Sequence, residues 1–79
     1  GFGDGKSIRL VFDIDPRAGF HLKESPLSND QTVEEREDRL RISATVVETE
    51  QLTWWLRTFG EDVEVVTPKR LAKSVHPGR

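Results

Sequence analysis

Apolar and polar positions alternate with a period of two over residues 7–15. Ile8, Leu10, Phe12 and Ile14 fall on one side and Arg9, Val11, Asp13 and Asp15 on the other, the pattern of a strand with one buried face. Asp15-Pro16 then reads as a helix start, Asp at the cap and Pro at the first helical position. The segment behind it is poorly specified. Ala18, Phe20 and Leu22 alternate as in a strand, Gly19 interrupts, and Ser25-Pro26 stops whatever forms; a short helix is expected. A hairpin follows, with arms at 31–37 and 39–47 and its turn near Asp38. In the second arm Leu40, Ile42, Ala44 and Val46 share one face, opposite Arg41, Ser43 and Thr45. The first arm has Val33 as its single apolar anchor among charges, which suits an edge strand protected from pairing with other molecules.

The pattern changes to a helical one at 50–59, where Leu52, Trp55, Leu56 and Phe59 occupy i, i+3, i+4 and i+7. Thr49 stands at the N-cap position and Glu50 in the first turn, while Gly60 sits where a left-handed residue ends a helix. Burial of this stripe stabilises by roughly 1.5–3 kcal/mol per large side chain, so this helix is expected to hold the domain together. A fourth strand is expected over 62–66. Thr67-Pro68 then opens a last helix that turns Leu71, Ala72 and Val75 inward. The order strand, helix, strand, strand, helix, strand predicts an α+β fold: a ferredoxin-like βαββαβ two-layer sandwich with an appended C-terminal helix. The expected division is a flexible lead-in at 1–6, a single module at 7–76 and a disordered tail at 77–79.

With 79 residues the chain has room for one core. It has no cysteine, which excludes a disulfide framework and thiolate metal sites and fits a reducing, cytoplasmic setting. No apolar run approaches membrane-spanning length, and no membrane partner is expected. A net charge of −2 supplies no global attraction for nucleic acid or anionic lipid. The chain also lacks methionine and begins Gly1-Phe2-Gly3-Asp4-Gly5, as expected of a segment taken from a longer protein.

No catalytic constellation emerges, so no enzymatic activity, metal or cofactor is expected. His21 and His76 are the only histidines; His21 reads as a surface residue and His76 as part of a frayed tail. The acidic run Glu34, Glu35, Glu37 and Asp38 reads as a solvated edge, because alternate strand side chains point to opposite faces. Gly1-Phe2-Gly3-Asp4-Gly5-Lys6 precedes a strand and presents no helix N-terminus to a phosphate. The outward sheet positions carry no aromatic platform for stacking bases. Arg9 and Arg41 are the candidate anion site: adjacent central strands would bring them near each other, free for a phosphate or carboxylate or else paired with Asp13 or Glu64. Through them, binding of an anion or single-stranded nucleic acid on the open sheet face is the alternative function. Trp54, rotated about 100° from Trp55 around the helix, and Arg57 form the candidate partner interface.

The C-terminal half resembles the end of WYL-domain bacterial transcriptional regulators, the extension called WCX. The resemblance rests on Phe59-Gly60, Val63-Glu64-Val65 and Pro68-Lys69-Arg70-Leu71, and on a segment ending in Gln31 ahead of the hairpin. Some members carry Pro-Leu-His-x-Ser-Gln there. This chain has Pro26-Leu27-Ser28-Asn29-Asp30-Gln31, so no role tied to that histidine carries over. The resemblance implies a regulatory, dimerisation and effector-relay module. Its implied partners are a WYL domain in the same full-length chain, a second copy, and DNA through a separate helix-turn-helix domain.

Overall fold

Leu10, Phe12 and Ile14 are fully buried and Arg9 is exposed, so the alternation in the first strand sets the layering of the molecule. The computed structural model describes residues 5–78. In chain order these form β1 (Ser7–Ile14), α1 (Pro16–Gly19), α2 (His21–Glu24), β2 (Thr32–Glu35), β3 (Leu40–Val47), α3 (Glu50–Arg57), a 3-10 turn (Gly60–Asp62), β4 (Val63–Thr67) and α4 (Lys69–Val75). The strands make one four-stranded sheet in the order β2-β3-β1-β4, with every neighbouring pair antiparallel. The protein is a small α+β unit.

One face of the sheet carries the core. Leu10, Phe12, Ile14, Leu40, Ile42, Val63 and Val65 cluster there with Leu22 of α2, Leu56 of α3, and Leu71 and Val75 of α4. Trp55 is the hinge of this packing. Its ring meets Phe12 edge-on at 6.2 Å and Phe59 edge-on at 5.0 Å, the arrangement that ring quadrupoles favour. Among the described residues no polar side chain is buried, and no buried side-chain polar atom lacks a hydrogen bond.

The helix expected over 50–59 is present as α3, capped by Thr49, whose side chain accepts from the Leu52 amide at 3.1 Å. It ends two residues early, and Gly60 takes the expected positive φ of 58°. Three other expectations need correction. The weak segment after β1 is two short helical turns in place of one helix. Gly19 and Leu22 point inward and Phe20 outward, although Phe20 keeps helical dihedrals. The reason is close packing: a Cβ on Gly19 would lie 2.6 Å from Ile14 Cγ2, so α1 approaches β1 more closely than any other residue allows. The first hairpin arm is shorter than expected, at Thr32–Glu35. β4 begins at Val63, because Asp62 is the last residue of the 3-10 turn, its amide donating to the Phe59 carbonyl at 3.0 Å. The β1–β4 register also shifts between Val11 and Phe12, which pair with Thr67 and Val65 and leave Val66 as the extra residue of a bulge.

Residues 1–4 of the expected lead-in, and Arg79 of the expected tail, lie outside the described residues. Lys6 belongs to the folded unit, since its carbonyl accepts from the Glu48 amide at 2.8 Å.

Candidate functional site

Arg9 and Arg41 do project from the open face of β1 and β3, but the strand register separates them. Arg9 lies opposite Thr45 and Arg41 opposite Asp13. Four positions along an antiparallel pair is about 13 Å, so the two guanidiniums do not converge on one anion as adjacent strands would suggest. Each has its own carboxylate. Arg41 Nε donates to Asp13 Oδ1 at 2.7 Å and Nη2 to Oδ2 at 2.9 Å, a two-pronged pair on half-buried side chains. Arg9 Nη1 donates to Asp30 Oδ2 at 3.0 Å and to the Thr45 hydroxyl at 3.2 Å.

The electrostatics follow from this geometry. The Arg41 hydrogen bonds hold the Asp13 carboxyl below the ordinary carboxylate range against the opposing effect of burial, and the charges of Arg41, Arg36 and Arg39 reinforce them. The same pair raises the Arg41 guanidinium. Asp30 is held far below its usual range, first by the Ser28 hydroxyl, then by the Thr45 hydroxyl and amide and the Arg9 charge. Its Oδ1 accepts from the Thr45 backbone amide at 2.9 Å. That amide lies beyond the β2–β3 ladder, which ends at the Thr32–Ser43 pair; the carboxylate thus extends the sheet by one hydrogen bond.

The second candidate surface lies where α3 meets α4. Trp54 is 65% exposed, the most exposed large apolar side chain among the described residues. The Arg57 guanidinium sits 5.9 Å from the centre of its ring, within cation–π range. Arg57 also donates through Nε to the Ser74 carbonyl at 2.9 Å, satisfying an acceptor near the end of α4. Arg57 therefore joins the two helices and holds the indole. Glu50, Thr53, Trp54, Arg57 and Ser74 line an open hollow around it.

Sequence reasoning missed three residues. Asp30 carries no local signal, because its role depends on Thr45, fifteen positions away. Gln31 organises the same loop: its Oε1 accepts from the Leu27 amide and its Nε2 donates to the Leu22 carbonyl, both at 2.8 Å. The similarity in the segment before the hairpin was the available signal for Gln31. His76 is not in a frayed tail. It is half-buried, its amide donates to the Ala72 carbonyl at 2.8 Å, and its Nε2 accepts from the Val65 amide at 3.3 Å.

Among the described residues no group of three His, Cys, Asp or Glu is placed to hold a metal ion, and no helix is long and apolar enough to cross a membrane. The fold and its surfaces define a small α+β module whose sheet face is laced by internal ion pairs and whose helical face exposes a tryptophan. The chain belongs to the WCX domain family, whose model matches residues 6–76. The match runs from the residue before β1 to the residue after α4, and it makes the chain a module associated with WYL-type regulators. Searches of curated proteins and of solved structures find no match.

Proposed function

We propose that this chain is a non-catalytic regulatory and dimerisation module of a cytoplasmic, WYL-type DNA-binding transcriptional regulator, and that it relays effector binding from a WYL domain in the same protein. The observation that carries this reading is the family match across the entire folded unit. The sheet order β2-β3-β1-β4 is the one a ferredoxin-like sandwich requires, with α1–α2 and α3 as its crossovers and α4 appended, and it supports that fold for the module. Trp54 and Arg57 supply the contact surface, since exposed Trp and Arg are the residues most enriched where interfaces concentrate their binding energy. DNA contact belongs to a separate helix-turn-helix domain.

Anion or nucleic-acid binding at Arg9 and Arg41 gains no support. An incoming phosphate would have to displace Asp30 from one and Asp13 from the other. The test is the mass in solution, by light scattering, of a longer protein carrying the WYL domain, with and without residues 6–76. Dimers that require the segment support the reading; a monomer in both cases, or a dimer in both, overturns the dimerisation role.

A further inference from the structure

The outer edge of β4 has an acceptor of unusual kind. Among the described residues β4 pairs with β1 on one side and with no strand on the other, so the backbone groups on that side form a template for an additional strand unless something occupies them. Two of its amides are occupied by the chain itself. The Val63 amide donates to the Gly60 carbonyl, within the 3-10 turn. The Val65 amide donates to His76 Nε2 at 3.3 Å. A carbonyl accepts at any pH. An imidazole nitrogen accepts only while it holds a lone pair, which requires the neutral ring with its proton on Nδ1.

We propose that His76 is a proton-dependent cap on the β4 edge: the neutral ring closes the edge at Val65 and fastens the end of α4 to the sheet, and protonation opens both. His76 follows directly on α4, and its ring shares a hollow with Glu64 and Val65 of β4 and Ala72 and Lys73 of α4. Among the described residues, the charged side chains that line this hollow with the ring are Glu64 from the strand and Lys73 from the helix. Lys73 disfavours a second positive charge beside it, and Glu64 favours one. Neither alters the hydrogen-bond requirement, because a protonated Nε2 is a donor facing a donor. The folded contact binds the deprotonated ring, so the contribution of this cap is present while the ring is neutral and is lost as pH falls through its titration. Opening leaves the Val65 amide without its acceptor and frees the residue that ends α4, whose Val75 and Leu71 otherwise lie in the core. The device sits on the edge of β4 away from the β1 ladder, so it can open while the sheet itself stays paired.

Amide exchange of Val65 in the 79-residue chain, corrected for the intrinsic pH dependence of exchange, reads the cap directly. Between about pH 8 and about pH 5, where histidine changes charge, protection of Val65 is expected to fall by about tenfold for each unit below the titration of the ring. Protection of Val63, capped by a carbonyl, stays level. His76→Gln keeps an acceptor without the titration and should make Val65 protection independent of pH. Ring nitrogen chemical shifts of the unaltered protein give a measurement that needs no variant. The proton on Nδ1 at neutral pH supports the cap; a proton on Nε2, or Val65 protection unchanged across the range, overturns it.

Discussion

Two carboxylates on the sheet's open face make acid the condition under which this protein should weaken. Asp13 and Asp30 are both held below the ordinary range of aspartate by hydrogen bonds formed only in the folded chain. As pH falls, the unfolded chain takes up these protons first, because its aspartates titrate near about 3.9. The stabilisation is therefore complete above that value and is lost as pH drops through the lower folded values. Urea midpoints measured from neutral pH down to about pH 2 should decline steeply below about pH 4. Asp13→Asn should lower stability at neutral pH and flatten that decline, since the Arg41 pair is already broken. Asp30→Asn should flatten it as well, because the amide does not titrate and gives up the ion pair with Arg9 while keeping one acceptor oxygen. If both variants decline as steeply as the parent, these carboxylates are not what acid attacks. At the same scale, Gly19 is set by the 2.6 Å approach of Ile14 Cγ2 to the place where a Cβ would stand. Ile14 is fully buried and cannot yield. Gly19→Ala should thus cost about 1–3 kcal/mol as an overpacked core site, net of alanine's better helix propensity. A urea midpoint equal to the parent's would show that β1 and α1 can separate without loss.

Elements differed in how much of them local sequence specifies. α3 was legible because every level agrees: an apolar stripe at helical spacing, a threonine cap and a glycine stop. β1 and β3 were legible because their alternation is unbroken, and the observed pairs from Ser7–Val47 to Ile14–Leu40 preserve it. The α1–α2 segment was not, because its inward residues are Gly19 and Leu22, and glycine carries no hydrophobic signal to reveal a buried position. The candidate site was less legible still. Arg9 and Arg41 were identified as outward, yet the register that separates them is a property of two strands and cannot be read from either alone. Thr49 illustrates the local kind of information. Its hydroxyl caps the Leu52 amide, and Thr49→Ala should lower stability by about 0.5–2 kcal/mol, read as a shift in thermal midpoint with no change in the native spectrum. A shift within error would mean that the packing of Trp55 and Leu56 alone fixes the helix start.

For the whole molecule, stability and association occupy different faces. The core lies between the sheet and α2, α3 and α4, while the open sheet face is closed on itself by the Asp13–Arg41 and Asp30–Arg9 pairs. Carboxylates that satisfy the arginines there leave that face with little to offer an incoming anion. Trp54 differs in kind. It exposes a large apolar ring at the junction of two helices, outside the core cluster, and its neighbour Arg57 is anchored by the Ser74 carbonyl. An indole pre-positioned in this way loses little side-chain freedom on binding, which is how a single residue comes to dominate an interface. Trp54→Ala should therefore leave the unfolding free energy of the isolated chain, from urea titration, within about 0.5 kcal/mol of the parent. In a longer protein that carries the WYL domain, it should weaken dimerisation by about 2 kcal/mol or more, close to thirtyfold in dissociation constant. Sedimentation equilibrium of the two proteins decides between the possibilities. A variant that unfolds more readily would make Trp54 part of the scaffold, and an unchanged dimer would move the contact away from α3.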